Sequence, residues 1–196
     1  MKSVLISIRP KWVEKIAGGQ KTIEVRRSAP KEVPFKCYIY ETKGQYVKFT
    51  HGALTKYGYG RGKVIGEFIC DNVERFEEHI EKGGLYYILS DTFNEQAQLD
   101  NWELHDYGKG KTLYGWHISD LKIYDKPREL SDFLKPCPDT FHYCTICKHC
   151  VKIIPPDEEE YALYHGGQYD YWEEHCTNRL TSPPQSWRYV EDLREE

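Results

Sequence analysis

The chain of 196 residues lacks any apolar run near the ~20 residues that a membrane-spanning helix requires. It also lacks a signal-peptide core at its N-terminus, so we expect a cytoplasmic protein. The glycines at positions 58, 60 and 62 do not have the spacing of a phosphate-binding loop. No Ser-His-Asp or Cys-His arrangement can be placed from spacing, so the sequence gives no support to a hydrolase with a catalytic triad.

The composition indicates a folded chain with an uneven distribution of charge. Aromatic residues make up 14% and hydrophobic residues 39%, which argues against disorder, and the length suits one domain with an appendage. Residues 1–66 hold 14 Lys and Arg against 4 Asp and Glu, whereas the remainder holds 13 against 27. Basic surface interleaved with Tyr and Trp favours a nucleic-acid-binding face. The alternative is that the two parts of one globule neutralise each other.

Residues 10–26 combine a short helix, a double glycine and a charged strand. The apolar side chains of the helix share one face at helical spacing: Trp12, Val13, Ile16 and Ala17. Gly18 and Gly19 then end the helix. In the strand, Ile23 and Val25 point to one side, and the polar side chains point to the other: Thr22, Glu24 and Arg26. Lys21, at the turn, is close enough to join the polar set. Alternating charges of this kind are also common on a solvated strand face.

This stretch resembles the GxKxxExR signature of the ASCH domain, a branch of the PUA-like superfamily, through Gly19, Lys21, Glu24 and Arg26. The resemblance continues in residues 114–133 and in the tail at residues 183–191, which are similar to stretches of longer bacterial and phage ASCH proteins. It implies an α+β fold, a small mixed PUA-like β-barrel with flanking helices. We expect an ASCH domain at residues 1–134, a metal-stapled insertion at 135–182, and a C-terminal tail at 183–196 that packs on the ASCH domain.

Several further elements are predicted from periodicity and turn residues. Strands are expected at residues 35–41, 46–49 and 63–71, the last one central, and a strand at 113–124 should close the barrel begun by residues 4–8. A helix should start at Asp91 or Thr92, with Glu95 in capping-box register, and run through Trp102. Residues 54–63 read as a Gly-rich loop. It could place Tyr57 or Tyr59 on a base and Arg61 on a phosphate, or be a plain connection.

The seven cysteines fall into two groups. Cys37 and Cys70 stand alone in apolar strands, where buried free thiols are expected. The others cluster and predict a structural zinc site held by four of five thiols: Cys137, Cys144, Cys147, Cys150 and Cys176. Metal binding would also supply folding energy to a segment with few aliphatic residues. The Cys-x2-Cys-x2-Cys run fits an iron-sulfur cluster as well, and unligated thiols are the remaining alternative.

The resemblance implies two classes of function. As a binding module, the protein would recognise RNA or a modified nucleotide. Lys21 and Arg26 would then meet phosphate or base edges, Glu24 would accept a base donor or fix Arg26, and Trp12 or a Tyr would stack. A weaker third class is a protein partner docked on the acidic run at residues 157–160, which is more often plain solvated surface.

As an enzyme, the protein would resemble small ASCH amidohydrolases that act on N4-acetylcytidine, or relatives associated with ribonuclease activity. Those amidohydrolases use the signature lysine, a threonine and a distant glutamate. Here Glu24 occupies the threonine position, and Thr22 is displaced by about 6–7 Å along the strand. Lys21 and Glu24 are the candidate catalytic residues. The sequence does not choose a distant acid among Glu67, Glu95 and Glu103.

Overall fold

The computed structural model describes residues 1–50, 53–81, 84–87, 89–90, 92–136 and 179–192. The described helices are α1 (Pro10–Ala17), α2 (Phe93–Ala97) and α3 (Asn101–Gly108), and a 3-10 turn spans Leu130–Asp132. The described strands are β1 (Lys2–Ile8), β2 (Ile23–Arg26), β3 (Phe35–Glu41), β4 (Gln45–Thr50), β5 (Ala53–Tyr59), β6 (Lys63–Cys70), β7 (Val73–Phe76), β8 (Glu78–Glu81), β9 (Gly84–Tyr87), β10 (Leu113–His117), β11 (Ser119–Arg128) and β12 (Trp187–Val190). The fold is therefore α+β, with more strand than helix, as the sequence predicts.

The largest sheet has five strands in the order β11-β6-β3-β1-β12. β1 pairs in parallel with β3, and the other neighbours pair in antiparallel fashion. β6 lies between β3 and β11, which confirms that it is central. Gly66 sits where a Cβ would lie 2.5 Å from the carbonyl oxygen of Lys122, so a larger residue would push β11 away. The C-terminal β12 adds to the edge of β1, with Ser3 opposite Val190.

A second sheet, in the order β2-β10-β7, has apolar contacts on both faces. Ile23 and Val25 belong to a core cluster that includes Phe93 of α2 and Leu104 of α3. Trp116 of β10 points to the opposite face and joins the core of the main sheet. Both faces of β2 are therefore covered, which the sequence pattern alone did not reveal.

The predicted closed barrel is not found among the described residues. The strand expected at 113–124 is broken into β10 and β11, and neither half pairs with β1. β10 pairs with β2 and β7, whereas β11 pairs with β6. The chain passes from one sheet to the other between Ile118, whose N–H donates to the carbonyl of Thr22, and Ser119, which pairs with Ile69 of β6. Asp120 follows with a positive φ of 48°, where the β11 register shifts.

Two other local predictions were wrong in part. A helix does begin directly after Thr92, as expected. The helix expected to run from residue 91 or 92 to Trp102 is two helices, because Gln98 takes a left-handed φ of 55° and ends the first one. The capping box belongs to Asp100 and Glu103 at the start of α3, and Thr92 makes no side-chain cap. Most of the expected loop at 54–63 is strand β5, paired with β4.

Residues 137–178, which make up most of the proposed insertion, lie outside the described part of the chain. The five clustered cysteines are among them. Among the described residues, no helix has both the length and the apolar character needed to cross a membrane.

Candidate ligand-binding site

The end of α1 directs Lys21 into the protein. The backbone N–H of Gly18 donates to the carbonyl of Glu14, and Gly19 takes a φ of +72°, a conformation that glycine adopts without strain. The N–H of Lys21 then donates to the carbonyl of Lys15 at 3.1 Å, so the chain folds back against the last turn of the helix. The double glycine thus reverses the chain, and Lys21 precedes β2 with its side chain 2% exposed.

Three charged side chains form one buried cluster beside this turn: Lys21, Glu24 and Arg26. The Glu24 carboxylate lies 3.5 Å from Lys21 Nζ through Oε2 and 3.0 Å from Arg26 Nη2 through Oε1. The side chains of Glu24 and Arg26 are 6% and 11% exposed. One carboxylate therefore serves two cations, and the cluster carries a net positive charge away from bulk water.

The two cations are also held by backbone carbonyls. Lys21 Nζ donates to the carbonyl of Ala97 at 2.5 Å, which ties β2 to the end of α2. Arg26 Nη2 donates to the carbonyl of Ser7 at 2.7 Å, which ties it to β1. These bonds fix both side chains, so the positions of the charged groups are set before any ligand arrives.

Burial lowers the pKa of the Lys21 ammonium below its ordinary value, because removing the charged form from water is unfavourable. Glu24 opposes this shift through its charge and hydrogen bond, whereas Arg26 and Lys15 add to it by repulsion. Lys21 therefore gives up its proton more readily than a surface lysine. A neutral lysine amine can act as a base or as a nucleophile.

Tryptophan side chains surround the cluster. Trp116 lies directly opposite Glu24 on the neighbouring strand, so the two side chains share a face. The Trp12 ring centroid is 5.1 Å from Lys21 Nζ, within cation–π range. Trp187 of β12 meets Trp116 edge to face at 5.7 Å between centroids, and its Nε1 donates to Ser28 Oγ. Strand β12 thus packs against the tryptophan that stands opposite Glu24.

Two buried donors at this site have no hydrogen-bond partner among the described residues: Arg26 Nε and Trp116 Nε1. Buried polar atoms are nearly always paired, so an unpaired donor requires a specific explanation. Tyr114 and Trp116 stand opposite Arg26 and Glu24 in the β2–β10 ladder, so both donors belong to the same patch. An acceptor that entered this buried patch would find both donors unpaired.

The other predicted site residues are placed differently. Thr22 is exposed, unlike Lys21 and Glu24, so the hydroxyl is not buried with them. Tyr57 lies on β5. Arg61 is largely exposed and engages Glu41, whose Oε2 accepts from the Arg61 backbone N–H at 2.9 Å.

The candidate distant acids are dispersed. Glu67 accepts a hydrogen bond from Tyr124 between β6 and β11. Glu95 is exposed on α2, and Glu103 caps α3 and lies 3.9 Å from Lys11 Nζ. Of the three, Glu103 belongs to a segment beside α1, since Lys11 is the second residue of that helix.

The described residues contain no group of three or more His, Cys, Asp and Glu side chains that could hold a metal ion. Cys37 and Cys70 are buried, as expected, and burial raises the pKa of both thiols. The zinc prediction depends on cysteines outside this part of the chain and stays a prediction.

Sequence reasoning missed Trp116, Ser7 and Trp187 as parts of the site. Strand pairing places Trp116 opposite Glu24, whereas a side-chain hydrogen bond joins Arg26 to Ser7 and ring packing joins Trp187 to Trp116. The alternation of residues 113–117 could have indicated that Trp116 faces inward, but not that it faces Glu24.

Comparison with known proteins is consistent with this architecture. The family model described as the ASCH domain matches residues 6–126. The chain is similar to two crystal structures of mutant ASCH proteins from Zymomonas mobilis, each 16% identical in sequence. A Tyr-to-Phe mutant gives a TM-score of 0.51, covering 100% of this chain and 92% of that one. A Ser-to-Ala mutant gives 0.50, covering 99% and 89%. At this identity the likeness shows a common fold. No curated protein is significantly similar in sequence.

Proposed function

This chain belongs to the ASCH domain family, and from that premise we propose that it binds RNA or a nucleotide-like ligand through Lys21, Glu24 and Arg26. The ligand lies between α1 and the β2–β10 face. The net positive charge of the cluster favours a ligand that is anionic or rich in hydrogen-bond acceptors, which describes nucleotides.

One observation carries the proposal: the buried cluster retains two unpaired donors, Arg26 Nε and Trp116 Nε1. A group that stays unpaired in the interior destabilises the fold by about 1–3 kcal/mol, so its persistence favours a function. Base carbonyls and ring nitrogens are acceptors that lie in one plane, so they suit two donors that lie in the same patch. Glu24 supplies an acceptor next to them, which fits a ligand that presents both kinds of group.

Each side chain has a distinct part in this proposal. Arg26 donates to the ligand through Nε while Nη2 stays bonded to Ser7 and Glu24. Lys21 supplies positive charge from a fixed position, and the Trp12 ring offers a stacking face beside it. Glu24 holds both cations in place and accepts from an amino group of the base. Removing any of the three charged groups should weaken binding.

Fluorescence anisotropy with a labelled single-stranded RNA, with free nucleotides as competitors, tests the proposal. We expect Arg26→Gln to weaken binding by about 10- to 100-fold, the value of a charge-assisted hydrogen bond. Lys126→Ala, on exposed β11 at the far edge of the main sheet, serves as the matched cationic control and should leave the affinity unchanged. Wild-type protein that binds neither RNA nor nucleotides at moderate salt would refute the proposal.

A second candidate is an amidohydrolase that cleaves an N4-acylated cytidine or a related nucleoside, or a ribonuclease. The lowered pKa of Lys21 favours it, because a neutral amine is available closer to physiological pH. Glu24 in place of threonine and the exposure of Thr22 argue against a hydroxyl nucleophile here. Chromatography of N4-acetylcytidine incubated with the protein should show cytidine and acetate if this candidate holds. The same product from Lys21→Met would exclude Lys21 from the reaction.

A further inference from the structure

The two most exposed aromatic side chains among the described residues are Trp102 and Tyr59, at 81% and 73% exposure. Aromatic rings contribute more than most side chains when buried, so exposed rings that lie near each other favour a binding partner. Isolated exposed apolar residues are ordinary on protein surfaces. These two rings, however, both lie near the start of α1, and this shared position favours a common binding partner.

Both rings stand on segments that contact the first turn of α1. Tyr59 precedes Gly60, where a Cβ would lie 2.5 Å from Pro10 Cγ, so the end of β5 touches the start of the helix. Trp102 precedes Glu103, whose Oε1 is 3.9 Å from Lys11 Nζ. The start of α1 therefore adjoins both of the segments that carry an exposed ring.

The surface between the rings is basic. Exposed cations come from α1 and from the chain on either side of β4 and β5: Arg9, Lys11, Lys43 and Arg61. The side chain of Lys43 lies against Gly62, so it is next to Arg61. Glu41 lies 3.7 Å from Arg61 Nε, and Glu103 lies 3.9 Å from Lys11 Nζ. Four cations against these two carboxylates leave the surface with a net positive charge. We call Tyr59, Trp102 and these four cations the outer platform.

The outer platform is continuous with the buried cluster. Lys11 Nζ lies 4.3 Å from the Trp12 ring centroid, and Lys21 Nζ lies 5.1 Å from the same centroid. One tryptophan therefore contacts a cation of the platform and a cation of the site. A ligand held beside Lys21 would reach the platform past Trp12 and Lys11.

We propose that the outer platform binds single-stranded RNA on both sides of the nucleotide held in the buried site, with Tyr59 and Trp102 stacking on flanking bases. The inference rests on the proposed function and specifies that the ligand is single-stranded and several nucleotides long. Exposed rings can stack only on unpaired bases, and interleaved cations meet the phosphates between them. Each stacked base is worth enough to be detected by alanine substitution.

The experiment compares two ligands, an RNA of about ten unpaired nucleotides and a nucleoside monophosphate. We expect Trp102→Ala and Tyr59→Ala each to weaken RNA binding by about tenfold, and neither to change the affinity for the monophosphate. Trp102→Phe should retain most of the RNA affinity because it keeps a stacking ring. Both side chains are exposed, so these substitutions should leave the fold intact.

The outcomes separate this inference from the proposed function. If Lys21→Met weakens both ligands but Trp102→Ala and Tyr59→Ala change neither, the platform is wrong and the buried site stands. If Lys21→Met changes neither ligand, the proposed function fails first. Equal affinity for a fully paired RNA would overturn stacking. Substitutions that dissociate a dimer and leave RNA affinity unchanged would identify a protein interface, and the proposal would be wrong.

Discussion

Replacing Glu24 by glutamine tests whether the buried cluster is a coupled unit. The substitution keeps the size of the side chain and removes one negative charge that serves two cations, Lys21 at 3.5 Å and Arg26 at 3.0 Å. Lys21 can lose its proton in response, but a guanidinium group keeps its positive charge. The variant therefore retains at least one buried cation without a carboxylate.

The magnitude follows from the burial of all three groups. Removing one partner of a buried ion pair destabilises a protein by about 3–5 kcal/mol, since the remaining charge is uncompensated. A domain of this kind has a total stability of about 5–15 kcal/mol, so Glu24→Gln removes a large share of it. The double substitution Lys21→Met and Glu24→Gln should cost less than the sum of the two single changes, because two of the opposed charges leave together.

The pH dependence gives a second signature. The folded pKa of Lys21 is lowered, so between that value and its ordinary value the unfolded chain binds more protons and stability rises with pH. Glu24 raises this pKa through its charge and hydrogen bond. Removing the Glu24 charge should therefore lower the pKa of Lys21 further. The rise of stability with pH should then begin at a lower pH. Lys21→Met should abolish this rise altogether.

Urea denaturation followed by tryptophan fluorescence measures these differences, since the chain has five tryptophans. Glu32→Gln is the matched control, because Glu32 pairs with Lys2 at 2.6 Å but both side chains are more than half exposed. We expect no resolvable shift of its midpoint, as exposed ion pairs contribute little. If the urea midpoint of Glu24→Gln differs from that of the wild type as little as the midpoint of Glu32→Gln does, the cluster is not a coupled unit.

Three further outcomes are expected. Burial raises the pKa of the Cys70 thiol to about 12. The free energy of unfolding should therefore fall as pH rises from the ordinary thiol pKa toward that value. Cys70→Ala should flatten this pH dependence in alkaline denaturation, and an unchanged slope would contradict the prediction. Freshly purified protein should contain about one zinc per chain by elemental analysis, and joint substitution of Cys144 and Cys147 by serine should remove it. A metal content near zero would contradict the zinc proposal. A coloured protein would indicate an iron-sulfur cluster. Trp187→Ala should weaken RNA binding by on the order of fivefold, because Trp116 loses its edge-to-face neighbour; unchanged affinity would show that β12 does not shape the site.

Local patterns predicted the elements whose limits depend on nearby residues. Helix α1 begins at Pro10 and ends before the double glycine, as expected, because proline suits the first helical position and glycine the C-terminal cap. Strand β3 spans residues 35–41 as predicted, and β6 ends one residue before the expected limit. These features rest on short-range sterics and on side-chain periodicity, which a sequence states directly.

The errors occurred where the partner of a segment decides its form. The pattern of residues 113–124 fits one long strand, but hydrogen bonding to two different sheets splits it near Ile118. Gln98 has no glycine-like signal, yet it ends α2 in a left-handed conformation. Residues 54–59 contain glycine and tyrosine in a loop-like mixture, and pairing with β4 makes them a strand. Such choices depend on contacts that are distant in sequence.

The sequence by itself determined that Glu24 and Arg26 share one side of a strand and that Lys21 stands at the turn before it, because side chains alternate in β structure. It could not state whether that side meets water or protein. Tertiary structure decided this by packing apolar residues of α2 and α3 on one face of β2 and by placing Trp116 and α1 on the other. Burial of both faces turns an alternation of charges into a coupled cluster, since electrostatic interactions strengthen where water is excluded.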